Sequence, residues 1–160
     1  MQRIGLGGGC HWCTEAVFQA LSGVGSVAQG FIASDPPDER YSEAVNLTFD
    51  PDTLPLEALL EVHLRTHASQ SDHKMRGKYR SAVYVHSTAQ GSDVSKSLTQ
   101  LQAGFEAPLV TRVLQFSAFK PSGERFQNYA ARYGDGPFCA RYIDPKLDML
   151  RKEYGNLLRA

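Results

Sequence analysis

The order in which strand-length and helix-length apolar patterns alternate constrains this chain more than any single motif. Residues 2–6 form a short apolar strand pattern, three glycines at 7–9 break it, and a helical pattern runs over 10–21. Gly23 ends that helix, a strand is expected over 24–32, Asp35-Pro36-Pro37-Asp38 reads as a loop, and 42–49 reads as the next strand. A proline-primed helix over 55–66 carries Leu56, Leu59, Leu60 and Leu64 at helical spacing, and a strand over 80–86 follows. The resulting order, β-α-β-β-α-β, is the split βαβ of a ferredoxin-like sheet and predicts an α+β fold. A helix over 89–105, a strand over 110–117 and helices over 123–133 and 145–158 are expected to extend that core. The 160 residues suffice for one well-buried core and are too few for two ordinary domains, so a single domain over 1–160 is expected.

Composition narrows the class of function. Hydrophobic residues make up 42% and charged residues 21%, the proportions of a soluble globular protein. Lys plus Arg and Asp plus Glu are 17 each, so no overall field gathers nucleic acid or an anionic membrane. No apolar run approaches the roughly 18 to 20 residues that cross a bilayer, and the N-terminus lacks the series of a signal peptide. The expectation is a cytoplasmic monomer whose specificity resides in a local site. Three cysteines cannot form a disulfide scaffold, and in a reducing compartment a thiol pair is more often catalytic or metal-binding than structural.

The stretch GLGGGCHWCTEAVF places Cys10 at the first turn of a helix, behind glycines that expose backbone amides. The helix dipole and unpaired N–H groups favour negative charge there, which lowers a thiol pKa and yields the reactive thiolate. The plainer reading is a cysteine that merely adjoins a flexible turn. Cys13 follows three residues on and shares a face with Val17 and Leu21, as a small core residue would.

In YSEAVNLTFD, the strand period puts Tyr41 and Glu43 on the face of Val45, Leu47 and Phe49. A carboxylate on an apolar face is costly to ionise, so Glu43 is expected to hold a proton near neutral pH; the alternative is a strand-end glutamate paired with Arg40 or turned to solvent. A thiolate with a carboxylic acid beside it can attack an atom whose attached oxygen must be protonated to leave. In KMRGKYRSAVYV, alternation predicts a solvated cationic face of Lys74, Arg76, Lys78 and Arg80, with Tyr79 pointing the way of Val83 and Val85 as a second donor or a core tyrosine.

With Cys10, Trp12, Glu43 and Tyr79 assembled, the sequence resembles the A-type peptide methionine sulfoxide reductases (MsrA). GGGCHWCTEAVF resembles the family's GGCFWC-x-E start, GVGSVAQGF the strand after its first helix, and SEAVNLTFDP its HAEAV-x-V-x-YDP strand. KYRSAVY resembles QYRSAIY, and PFCARYIDPKLDMLR resembles the PYCxxxIxPKLxxLR tail. The resemblance implies that Cys10 attacks a sulfoxide sulfur of the S epimer, Glu43 protonates the oxygen, Tyr79 orients it, and Trp12 packs on the methyl group. It further implies a Cys10 sulfenic acid returned to thiol through a disulfide and a reductant such as thioredoxin, with no cofactor and no metal. The chain departs from the family pattern at His11, where the family has Phe, and in a shorter FIASDPPDERY loop, which leaves Tyr41 to replace a tyrosine of the oxygen site. The family's D-x-G-T-Q-Y becomes Lys74 to Tyr79, which puts a cation in the substrate region and displaces Asp72 by two, and Phe138 stands where a tyrosine usually precedes the C-terminal cysteine.

Two thiols compete to resolve the sulfenic acid. Cys13 is near in sequence; Cys139 lies in DGPFCA, where Gly134, Gly136 and Pro137 predict a mobile loop, and the resemblance places a resolving cysteine there. Cys139 is therefore favoured, with Cys13 as a second relay toward thioredoxin. Three rival readings are a zinc module using Cys10, Cys13, His63, His67 and His73, a thioredoxin-type oxidoreductase using the CxxC alone, and the same fold acting on another alkyl sulfoxide. The zinc reading suffers from the roughly 50 residues between the cysteine pair and the histidines.

Overall fold

The computed structural model describes residues 1–71 and 74–159, without the side chains of Lys74 and Met75. Strand β1 (Gln2–Gly7) leads through the glycines into helix α1 (His11–Gln19), and β2 (Val24–Ala33) returns antiparallel to β3 (Ser42–Phe49). Helix α2 (Leu56–Arg65) starts directly after Pro55, as its proline predicts, and is followed by β4 (Ala82–Val85). Among the described residues six strands make one sheet, in the order β5-β4-β1-β3-β2-β6, where β5 is Arg112–Gln115 and β6 is Ala118–Pro121. Its inner four strands, β4-β1-β3-β2, pair antiparallel throughout, which is the ferredoxin-like core expected from the element order. Helix α3 (Thr88–Leu101), capped by the Ser87 hydroxyl on the Gln90 N–H at 3.1 Å, carries the chain to β5, parallel to β4.

The additions to that core differ from expectation. The apolar pattern over 110–117 is one strand by sequence but ends at Gln115; the chain then crosses to the far edge and pairs as β6 with β2. The helix expected over 123–133 is broken at Asn128, whose φ of 57° is left-handed, leaving a single 3-10 turn and a short α4 (Tyr129–Tyr133). The last helix, α5 (Asp144–Glu153), is preceded by a wide π turn over Cys139–Ile143, so Cys139 sits in helical backbone and not in a mobile loop. Residues 74–77 likewise form a 3-10 turn, which cancels the alternation expected of an extended segment. Arg80 is consequently buried, donating to the Tyr84 hydroxyl at 3.1 Å and the Ile32 carbonyl at 3.1 Å, and Arg76 donates to the carbonyls of Gly8 and Tyr79. Neither belongs to a solvated cationic face.

The main core lies on one face of the sheet, where Ile4, Leu6, Val45, Leu47 and Phe49 meet Val17 and Phe18 of α1, Leu59 and Leu60 of α2, Val94 of α3 and Leu150 of α5. A smaller cluster of Ile32, Ala44, Ala82 and Tyr84 covers the other face, with Leu114, Phe116 and Phe119 against it. No described helix is long and apolar enough to cross a membrane.

Two histidines of the α2 segment underlie the glycine loop. The His63 Nε2–H donates to the Gly7 carbonyl at 2.8 Å; the His67 Nδ1–H donates to the His63 carbonyl at 2.6 Å, which leaves its Nε2 to accept from the Ser81 hydroxyl at 2.8 Å. Gly8 lies against the His67 ring so closely that a Cβ would fall 2.4 Å from its Cδ2, a contact only glycine avoids. Burial pushes the His63 pKa down to about 4, and burial also holds His67 well below an ordinary imidazole.

A folded-state pKa below the unfolded value means that the native state binds fewer protons, so this stability is complete above about pH 6.5 and is lost as pH falls toward 4. For His63 the linkage amounts to about 3 kcal/mol. Urea unfolding across that pH range should show the loss, and His63→Gln, which keeps a donor for Gly7 without titrating, should remove the His63 share of it and leave that of His67.

Candidate active site

Three segments converge where β1 gives way to α1. Cys10 caps the helix, its carbonyl accepting the N–H of Cys13 at 3.1 Å and of Thr14 at 3.2 Å, so its side chain stands among the first free amides of α1. The Cys13 thiol lies beside Cys10, donating to the Tyr142 carbonyl at 3.9 Å, and that thiol together with the backbone amides of Trp12 and Cys13 favours negative charge on the Cys10 sulfur. Together these lower the Cys10 pKa, against burial and the Glu43 charge, which raise it. The same proximity, with burial, pushes the Cys13 thiol up, so the pair is asymmetric, Cys10 being the more readily ionised of the two.

Glu43 enters from β3. It is 6% exposed on the core side, as the strand period predicts, and its Oε1 accepts the backbone N–H of His11 at 3.3 Å. His11 Nε2 stands 3.6 Å from the same oxygen and Lys78 Nζ 3.6 Å from Oε2. The His11 Nδ1–H is spent on the Gly30 carbonyl at 2.8 Å, which fixes the ring beside the carboxyl group.

Cys10, Glu43, His11, Trp12 and Tyr79 line one cavity of about 570 Å³. Trp12 and Phe138 supply its aromatic wall, their rings edge to face at 5.2 Å. Tyr41 does not belong to it: β3 pairs from Ser42 onward, and Tyr41, beyond that pairing, is 49% exposed and does not line the cavity. The Lys74 side chain, Asp72 and His73 lie outside the described residues. Lys78 lines the cavity, over the Tyr79 ring at 5.1 Å, and Lys146 and Tyr142 reach it from the C-terminal segment. The Cys139–Tyr142 spacing of three, on a helical face, was the available signal for Tyr142.

A buried carboxylate holds that wall together. Glu15 of α1, fully buried, accepts the backbone N–H groups of Asn128 and Tyr129 at 2.9 Å each and the Gln29 amide at 2.9 Å. Tyr129 is thereby laid flat on Trp12, with ring centroids 4.1 Å apart and planes 2° from parallel. Behind Trp12, Cys13, Ala16, Cys139 and Ile143 form a separate apolar cluster against which Cys10 packs, so all three thiols share one locality.

Of the histidines of the zinc reading, His63 and His67 are directed elsewhere, onto the Gly7 carbonyl and Ser81, and His73 lies outside the described residues. Among the described residues no group of three or more His, Cys, Asp or Glu is placed to hold a metal ion.

Residues 2–157 match the family model of peptide methionine sulfoxide reductase. The peptide methionine sulfoxide reductase MsrA of Thermus thermophilus is 33% identical over 168 residues, spanning 96% of each protein. The chain belongs to this family. Its fold is also that of Mxr1 from Saccharomyces cerevisiae in reduced form, with a TM-score of 0.70 at 20% identity over 84% of this chain and 87% of that one. A structure of Mxr1 in complex with Trx2 gives a TM-score of 0.60 at 20% identity over 81% and 84%. For a methionine sulfoxide reductase, the cleft departs from its family's pattern in being flanked by His11 and Lys78 around its acid.

The effect of Cys13 on Cys10 has a direct readout. In Cys13→Ala the Cys10 sulfur loses the neighbouring thiol that most favours its ionisation, so the pH midpoint of its alkylation by iodoacetamide, followed at Cys10 by mass spectrometry, should move up; Cys13→Ser, which keeps a donor, should move it less.

Proposed function

We propose that this enzyme reduces the S-sulfoxide of methionine with Cys10 as nucleophile and Glu43 as acid. The observation that carries the reading is that a stabilised thiolate and a buried carboxyl group line one cavity whose wall is Trp12 and Phe138. The Cys10 sulfur attacks the sulfoxide sulfur while Glu43 delivers a proton to its oxygen; the S–O bond breaks, the oxygen passes to Cys10 as a sulfenic acid, and the thioether leaves. Two electrons move from Cys10 to the substrate sulfur. In this scheme the aromatic wall receives the methyl group, and Tyr79, which also lines the cavity, orients the oxygen.

A second thiol then displaces hydroxide from the sulfenic acid as water and forms a disulfide, and a dithiol reductant returns both thiols. Cys139 is the resolving thiol in this scheme. It packs in the same cluster as Cys13 and beside Cys10, and it opens the π turn that precedes α5. Cys13 serves as relay. The Trx2 complex of Mxr1 supports thioredoxin as the reductant. The packing of Cys10 against the cluster that holds Cys13 favours a second reading, in which those two close the disulfide directly.

Cys10→Ser should abolish reduction of blocked methionine S-sulfoxide even with dithiothreitol, and Glu43→Gln should slow a single turnover on the order of 100-fold or more. Turnover by Cys10→Ser above background, or reduction of neither epimer by the unaltered enzyme, would overturn the proposal. One equivalent of sulfoxide without reductant, followed by disulfide mapping, should give a Cys10–Cys139 bond, and a trapped sulfenic acid in Cys139→Ser. A Cys10–Cys13 bond that persists in Cys139→Ser assigns resolution to Cys13.

A further inference from the structure

The charges around the cleft are unbalanced. Among its described lining residues Glu43 is the sole carboxylate, whereas Lys78 and Lys146 bring ammonium groups from two separate segments, the turn before β4 and the first turns of α5. Lys146 donates to the Thr66 carbonyl, a neutral acceptor, and among the described residues no carboxylate pairs with its ammonium. Lys78 has Glu43 as its counter-ion, 3.6 Å away, with just over half of its side chain exposed. His67, also at the cavity, adds no charge, since burial keeps its imidazole neutral. When Glu43 holds the proton that reduction consumes, the pairing with Lys78 loses its charge, and two ammonium groups face the cavity without a carboxylate.

From this arrangement we infer that the cleft selects sulfoxides bearing a carboxylate close to the sulfoxide group, bound by Lys78 and Lys146. The carboxylate is either the α-carboxylate of free or C-terminal methionine sulfoxide, or the side chain of an acidic residue next to an internal one. The inference rests on the reductase reading above and adds its substrate class. A carboxylate within reach of either ammonium replaces the charge that Glu43 ceases to supply, and it does so at a mouth that solvent reaches, so the preference belongs to binding and is screened by salt.

The test compares kcat/KM, at neutral pH and low ionic strength with dithiothreitol, on S-epimers of four sulfoxides. N-acetylmethionine sulfoxide and its methylamide differ in the α-carboxylate; two end-blocked peptides differ in Asp or Lys beside the methionine sulfoxide. The carboxylate member of a pair should be favoured about fivefold, chiefly through KM. The ratio should fall toward one in about 1 M salt, where the Debye length is about 3 Å. Lys78→Gln and Lys146→Gln should each reduce it. A ratio above one confined to the first pair assigns the α-carboxylate, and one confined to the second assigns an acidic neighbour. Ratios of one in both pairs, or a preference that survives salt and both replacements, overturn the inference while leaving the reductase reading in place. Reduction of none of the four overturns both.

Discussion

The register of β1 against β3 is the constraint on which the site depends. Gly7 pairs with Ala44, the last rung before β1 turns into α1, so the helix cap at Cys10 and the side chain of Glu43 are delivered to the same end of the same strand pair. Because side chains alternate along a strand, a slip of one residue would turn Glu43 to the opposite face, among Ile32, Ala82 and Tyr84. The register is held by Ile4, Leu6, Val45 and Leu47 in the main core and, at the critical end, by His63 on the Gly7 carbonyl. The chemistry therefore inherits its geometry from the central hydrophobic pairing, where the fold is best determined.

The C-terminal third is attached to that frame by different means. Beyond the edge strands β5 and β6 and the packing of Val113, Leu147 and Leu150 on the main core, it is docked by Glu15, a carboxylate that accepts two backbone amides at the start of α4 and the side chain of Gln29. A buried carboxylate of this kind is tolerated because each oxygen meets donors, and loss of the carboxylate would leave the two amides without their partner. Tyr129, Phe138 and Tyr142 all follow from this anchor, so half of the substrate wall depends on a residue with no contact to the cavity.

This division explains what the sequence disclosed. The β-α-β-β-α-β order was legible because each element announces itself by periodicity and its boundaries by glycine or proline. That Cys10, Trp12 and Glu43 line one cavity was legible because each sits beside such a boundary or on a counted strand face; Tyr79 lines it too, but from a bend before β4 and not from the strand face on which it was counted, and only the family resemblance gathered it with the others. The edge strands were not: whether residues 110–121 form one strand or two on opposite edges is set by where β4 and β2 leave free hydrogen-bonding groups, a property of the assembled sheet. Tyr41 was misplaced because the period of two was carried one residue beyond the last paired position. The 3-10 turn at Lys74–Gly77 undid a similar count and sent Arg80 inward. Glu15 carried a signal, a carboxylate among Cys13, Ala16 and Val17 on a helix, but its partners are backbone groups more than a hundred residues away, and those leave no mark in composition.

The acid's surroundings show how a family chemistry is kept while its setting changes. The Glu43 oxygens have one fixed neighbour, the His11 amide, which any residue at that position would provide, since it belongs to the backbone of α1. The other two neighbours are side chains, the His11 ring and the Lys78 ammonium, each 3.6 Å away and each at a position where the family resemblance leads one to expect something uncharged. The ring is tethered by Gly30, so it cannot swing to a substrate and acts on Glu43 alone; the ammonium, held by a flexible stem, reaches either Glu43 or whatever enters the cleft. In the proposed reaction the acid thus stays on the rigid strand and helix frame, and the proposed carboxylate preference falls to a residue on the turn before β4, whose side chain takes no part in the β1–β3 register.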